Sequence, residues 1–132
     1  KNREAEKLLR EVVDREPGLY EVSYSLGLLL AEMQQYEDAE HYLGKAAAGM
    51  NYGRAYYNHG QVLLFLNQPE QAEQALLMAL QLNPQEQDFF VALADVYLKS
   101  GQTEKARELA INMSRQFPDH KAAMELLRYL ER

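Results

Sequence analysis

The stretch Ala55-Tyr56-Tyr57-Asn58-His59-Gly60, followed by Ala72, Leu76 and Ala79 and closed by Leu82-Asn83-Pro84, decides the fold. Its small residues recur along the chain at one step. Gly27, Gly60 and Ala94 are 33 and 34 residues apart, Ala39, Ala72 and Ala106 keep the same intervals, and Ala5 stands a further 34 residues upstream. Pro17, Pro84 and Pro118 lie 67 and 34 apart, with Asn51 at the missing step. A fixed period of this length marks an array of stacked units. Two small residues per unit at a constant offset place one on each of two helices whose backbones approach closely, where Gly, Ala or Ser fits and larger residues overpack.

Between these markers apolar residues return at three- and four-residue steps with no alternating run, so the pattern is helical throughout. It predicts helices over 23–34 and 37–48, 55–66 and 69–82, 88–100 and 103–116, joined by short loops, with a leading helix over 2–15 and a last one over 121–130. Asn67 and Gly101 fall where a helix stops inside a tight turn, a place that favours residues tolerating positive φ. Pro69 opens a helix, where its missing N–H costs nothing.

Composition removes several classes of function. The 132 residues carry 14 Lys and Arg against 20 Asp and Glu, a formal net charge of −6, and the pI is near 5.1. Duplex-wrapping proteins need clustered cations, so nucleic acid is not the expected partner. With no cysteine, the chain has no disulfide framework, thiolate zinc site, thiol nucleophile or covalent haem attachment. No apolar stretch approaches the roughly 20 residues of a membrane span.

At this point the residues resemble the tetratricopeptide repeat, a helix–turn–helix unit of about 34 residues. The second unit carries the resemblance through Ala55 to Gly60, Ala72, Leu76, Ala79 and Pro84. The third does so through Phe90, Leu93, Ala94, Tyr97, Gly101, Ala106 and Pro118, and the first through Leu26, Gly27, Tyr36, Ala39, Leu43 and Ala46. The implied fold is all-α, a right-handed α-α superhelix of antiparallel helix pairs. One domain then spans 1–132, with repeats at 20–52, 53–86 and 87–120. Residues 1–17 match the second helix of a truncated repeat and 121–132 a capping helix. Starting in mid-repeat, without an initiator methionine, the chain reads as part of a longer parent. Arg128 occupies a position that must be small for another helix to pack, so the array is expected to end there, with Ala123, Leu126, Leu127 and Leu130 covering the last pair. Three departures stand out. Ser23 replaces a large aromatic, His59 replaces leucine, and the junction 49–53 is one residue short and lacks proline, which predicts a local change of twist.

In such a fold first helices line a concave surface, and the resemblance carries its groove positions onto Tyr24 and Leu28, then Arg54, Tyr57, Asn58 and Gln61. Asp88, Val91, Asp95 and Lys99 follow on the third repeat, and Glu125 and Tyr129 on the capping helix. Tyr24 and Leu28, Tyr57 and Gln61, and Val91 and Asp95 are each four residues apart, on one stripe of their helices. Phe65, an aromatic at a mostly polar position, either extends this groove or packs under the short junction. A face aromatic in the middle and acidic toward its C-terminal end suits an extended peptide or short helix with an apolar anchor and basic residues. Tyrosines of this kind also occur where they only pack. Some family members clamp a chaperone's C-terminal carboxylate with lysine, arginine and two asparagines. The corresponding positions here are Tyr24, Leu28, Asn58, Asp88 and Ala92, and only Asn58 matches, so that specialisation is excluded.

Nothing points to catalysis, a cofactor or a metal. The three histidines are scattered. Glu37 and His41, four apart, are an ordinary surface pair rather than half of a metal site. His59 reads as a partly buried ring with one hydrogen bond, whose charging at low pH would loosen the middle repeat. No glycine cluster cradles phosphate. Glu4, Glu6, Glu11, Asp14 and Glu16 read as a solvated outer face, and the five methionines as gap-fillers. The leading expectation is a non-catalytic scaffold that binds a protein or peptide, with no membrane insertion. A homodimer formed through the exposed N-terminal helix is one alternative. Another is an accessory module of the bacterial cell envelope, because Phe89 to Leu98 resembles repeats that accompany multihaem cytochromes. A bacterial cytoplasm or periplasm is the expected compartment.

Overall fold

The computed structural model describes all of residues 1–132. It contains eight helices, α1 (Asn2–Arg15), α2 (Tyr20–Glu32), α3 (Tyr36–Met50), α4 (Gly53–Phe65), α5 (Pro69–Leu82), α6 (Gln87–Lys99), α7 (Thr103–Gln116) and α8 (Lys121–Leu130), and no strand. They fall into two compact units, Lys1–Leu82 and Asn83–Arg132. None of the helices is long and apolar enough to cross a membrane.

Three of the turns are built alike. Gln34, Asn67 and Gly101 adopt φ of 62°, 60° and 74°. In each turn this residue's N–H bonds the carbonyl three back, and the next N–H reaches five back: Gln35 to Leu30 at 2.9 Å, Gln68 to Leu63 at 2.9 Å and Gln102 to Tyr97 at 2.7 Å. This left-handed termination satisfies carbonyls that the helix end would otherwise leave bare. Asn and Gly enter it readily, as expected for Asn67 and Gly101. Gln34 does so without either advantage, which is why the predicted helix through 34 stops at Glu32. The second helix of the first pair runs further than the pattern suggested, to Met50, because Asn51 at φ 51° supplies its left-handed cap. Tyr52 and Gly53 then start α4 at once.

In the first unit each helix packs on the next, and the small residues set how closely. A methyl at Gly27 would lie 2.7 Å from Leu43 Cγ and 3.2 Å from its backbone N, and one at Gly60 would lie 3.0 Å from Leu76 Cγ. Ala39 and Ala72 are fully buried. A third contact was not legible from the period. Gly49 near the end of α3 lies under the Tyr20 ring, whose carbons would stand 2.5 Å from an added methyl. Tyr20, one turn before the buried Ser23, thus supplies an aromatic at the end of the pair where Ser23 lacks one. Leu26, Leu30, Leu43 and Val62 form the core, which Val13 of α1 joins. Arg10 fastens α1 to α3. It donates to Glu6 at 2.7 Å, Asp38 at 3.0 Å and the Tyr42 hydroxyl at 3.3 Å, with its guanidinium 5.7 Å from the Tyr42 ring centre. Glu6 is therefore an internal partner of Arg10 and not part of a purely solvated face. Much of the apolar side of α1 is covered as well, and Leu8 is its large exposed residue.

In the second unit α8 packs on α7 and also on α6. Phe90, Leu93, Ala106, Ala110 and Ala123 are buried. Helices α1, α2, α3, α4, α6 and α7 start without a side-chain cap. The start of α8 is different, since His120 Nδ1 accepts from the Ala123 N–H at 3.1 Å. The ring is 2% exposed and meets Phe90 edge-on at 5.0 Å between centres. An accepting Nδ1 places the proton on Nε2, which is buried without a partner. Burial pushes the imidazole below its ordinary value near 6.5, and Asp119, acting the other way, is too weak to restore it. His59 behaves otherwise. Its ring rests against Gly44 and its Nε2 lies 2.8 Å from Glu40 Oε2, so its polar edge has a carboxylate partner.

Two measurements test this packing. Replacing Gly by Ala inside a helix adds about 1 kcal/mol of propensity, which the mild contact at Gly60 leaves nearly uncancelled. At Gly27 and Gly49 the overlap is deeper, so Gly27→Ala and Gly49→Ala are expected to destabilise by about 1–3 kcal/mol while Gly60→Ala stays within about 1 kcal/mol of the parent in urea unfolding. Equal effects at all three positions would refute the contacts described. For His120, a folded pKa below the unfolded one means its contribution is complete above pH 6.5 and is lost as the pH falls through the folded value. The protection of α8 amides, taken relative to their intrinsic exchange rates, should fall below that pH, and His120→Asn, which can still cap but does not titrate, should flatten the dependence. An unchanged acid profile in that variant would assign the sensitivity elsewhere.

Candidate peptide-binding cleft

Helices α2 and α4 lie side by side on α3, and between their C-terminal halves opens a cleft of about 470 Å³. Leu28, Ala31 and Glu32 form one wall, Asn58, Gln61, Val62 and Phe65 the other, and Gln34, Tyr36 and Leu43 complete it. Phe65 stacks flat on Tyr36, with centres 4.6 Å apart and planes 2° from parallel, yet remains 68% exposed. It borders the cleft and lies at the opposite end of α4 from the 49–53 junction.

Toward the N-terminal ends of the same helices the contacts are polar. Asn58 donates to the Tyr24 hydroxyl at 2.7 Å, and Tyr24 meets Tyr52 edge-on at 5.9 Å. Burial raises the Tyr24 phenol above its ordinary value near 10, Tyr52 adds to this, and the Asn58 bond and Arg54 work the other way. Tyr24 is therefore a neutral phenol at any physiological pH. Gln61 donates to the Tyr57 hydroxyl at 3.0 Å, and the Arg54 guanidinium sits 5.2 Å from the Tyr57 ring centre. Tyr24, Leu28, Arg54, Tyr57, Asn58, Gln61 and Phe65 thus share one pair of neighbouring helices.

The remaining residues singled out in the sequence lie in the second unit. Asp88 is in the first turn of α6 and Val91 is exposed one turn on. Asp95 pairs with Lys99 at 3.0 Å, which offsets the acidity the sequence suggests there. On α8, Glu125 lies with Asp119, Lys121, Met124 and Arg128 around a shallow depression, and exposed Tyr129 has the Arg132 guanidinium 5.9 Å from its ring centre.

Sequence reasoning missed Tyr36, Glu32, Gln34 and Tyr52. A signal for Tyr36 was present. With only a two-residue junction at Asn51 and Tyr52, α3 and α4 run back along each other, so a residue fifteen before Asn51 meets one fourteen after it.

A tetratricopeptide repeat profile matches residues 1–52 and 24–87, and a second profile of the same description matches 67–128. The chain belongs to the tetratricopeptide repeat family. Its all-α fold is that of repeat proteins already solved. MamA from Desulfovibrio magneticus RS-1 is 24% identical with a TM-score of 0.76, over 97% of this chain and 67% of that one. MamA from MSR-1 is 27% identical with a TM-score of 0.70, over 94% and 66%. YrrB, described as a TPR protein with an unusual peptide-binding site, is 23% identical with a TM-score of 0.76, over 98% and 70%. The chain spans about two thirds of the length of these MamA chains. No curated protein matches it in sequence. As a member of this family the chain is a protein-interaction scaffold.

The Tyr24–Asn58 bond couples α2 to α4 beside the cleft. A double-mutant cycle with Tyr24→Phe and Asn58→Ala should return a coupling of about 0.5–1.5 kcal/mol in unfolding free energy. Strict additivity would mean that the bond contributes nothing to the pairing.

Proposed function

We propose that the chain binds a segment of a partner protein, without chemistry of its own, in the groove between α2 and α4. The observation that carries the reading is the open apolar cleft at whose mouth Phe65 is exposed and held flat by Tyr36. An exposed aromatic, already ordered by an intramolecular stack, is a suitable anchor for an apolar side chain, because little rotamer freedom remains to be lost on binding. Tyr24, Arg54, Tyr57, Asn58 and Gln61 continue the surface for the rest of an extended segment. Arg54 near the start of α4 and Glu32 at the end of α2 give the groove opposite charges at its two ends, which would orient that segment. In the second unit Asp88, Val91, Asp95, Lys99, Glu125 and Tyr129 form the remaining candidate surface. The peptide-binding site named for YrrB agrees with this mode of action.

A second reading, pairing of two copies through α1, is favoured by one observation, the 63% exposure of Leu8. A displayed peptide library selected on the chain separates the two. Selected peptides should bind Phe65→Ala and Tyr57→Ala at least about tenfold more weakly than the parent, a loss of about 1.4 kcal/mol, with unchanged circular dichroism. Equal affinity for parent and variants would remove the groove, and a concentration-dependent dimer with no selected peptides would leave α1 as the working surface.

A further inference from the structure

The cleft has a chemistry of its own that goes beyond peptide binding in general. Glu32 is its one charged lining residue. That side chain is exposed and meets no cation of the chain. The two amides on the opposite wall have turned their nitrogens away, Asn58 toward the Tyr24 hydroxyl and Gln61 toward the Tyr57 hydroxyl. Their carbonyl oxygens are left without a partner, and each can accept. One face of Phe65 is taken by Tyr36 and the other is open. Apolar surface from Leu28 and Ala31 lies between.

A complementary group must present several N–H donors, carry positive charge, be flat enough to lie on an aromatic face, and arrive on an apolar stem. We propose that this cleft is a pocket for an arginine side chain of the bound partner. The methylene stem crosses the Leu28 and Ala31 surface, the guanidinium lies on the open face of Phe65, and its donors reach the Glu32 carboxylate and the amide oxygens of Asn58 and Gln61. Lysine fits less well, because a compact, strongly hydrated ammonium neither stacks nor spans several acceptors at once. A leucine or phenylalanine would fill the apolar part but leave the carboxylate and both amide oxygens to water alone. The volume of about 470 Å³ admits a long side chain together with part of its backbone.

The inference rests on the groove reading above, and the test separates the two. The probes are the blocked pentapeptide acetyl-Ala-Leu-Arg-Leu-Ala-amide and its versions with citrulline, lysine or leucine in the middle, each titrated into the isotopically labelled chain and followed by NMR. Citrulline keeps the shape of arginine and removes the charge. The arginine peptide is expected to shift Phe65, Tyr36 and Glu32 resonances and to bind at least about tenfold more tightly than the citrulline and leucine peptides. The preference should shrink in high salt and disappear in Glu32→Gln, whose substituted position is exposed and leaves the fold intact. Equal shifts at the cleft from all four peptides would overturn the arginine pocket and keep the groove. Shifts confined to other surfaces, or none at millimolar peptide, would overturn the pocket, and if peptides selected from the library also avoid the cleft, the groove falls with it.

Discussion

Leu43 seated on the bare backbone of Gly27 is the contact on which the first unit depends. A helix pair can bury its facing stripes only if the axes come close enough for side chains of one to reach the backbone of the other, and a missing Cβ gives that approach. Leu76 on Gly60 repeats it one unit later. Once α2 and α4 are each held close to their own second helix, and α3 lies against both, the C-terminal halves of α2 and α4 are set apart by the side chains of α3 between them. The cleft is the space that this spacing leaves. Its aromatic mouth has the same origin, since Tyr36 and Phe65 meet only because α3 and α4 run back along each other from a two-residue junction.

Much of this was legible in the residues. The period of small residues, the helical spacing of apolar ones and the turn preferences of Asn67 and Gly101 name the helix pairs and two of the contacts that hold them. The misses have physical reasons. Gln34 forms the same left-handed turn as Asn67 and Gly101, but nothing about glutamine announces it, because the constraint comes from the following helix and not from the residue. Gly49 read as part of a short junction and proved to be the seat of Tyr20. Its role depends on a ring from another helix, which no local pattern reports. In the groove, residues on first helices could be placed by their stripe. Tyr36 and Glu32 could not, because one belongs to a second helix and the other to a helix end.

The two histidines embedded in the fold show how little the residue type settles by itself. His59 stands where leucine is usual and finds Glu40 beside it, so its ring has a hydrogen-bond partner. His120 has become a helix cap, a task that needs an unprotonated Nδ1, and it lies in apolar surroundings that disfavour charge. His120 is a ring whose charging the fold opposes, although its position attracts no notice in the sequence.

Charge along the groove follows a similar logic. Most of the ionic groups near the candidate surfaces are already engaged within the chain: Asp95 with Lys99, Arg54 over Tyr57, Arg132 over Tyr129. A group bound to its own chain must give up that contact before it can serve a partner, so it contributes little net affinity. In the proposed arginine pocket, discrimination between partners falls instead to acceptors that the fold leaves unpaired. At the cleft these are the Glu32 carboxylate and the oxygens of two amides that the tyrosine hydroxyls have fixed in orientation. The two amide oxygens are oriented before any ligand arrives, and preorganised polar groups beside an apolar track would let a shallow, open site prefer one side chain over others of similar size.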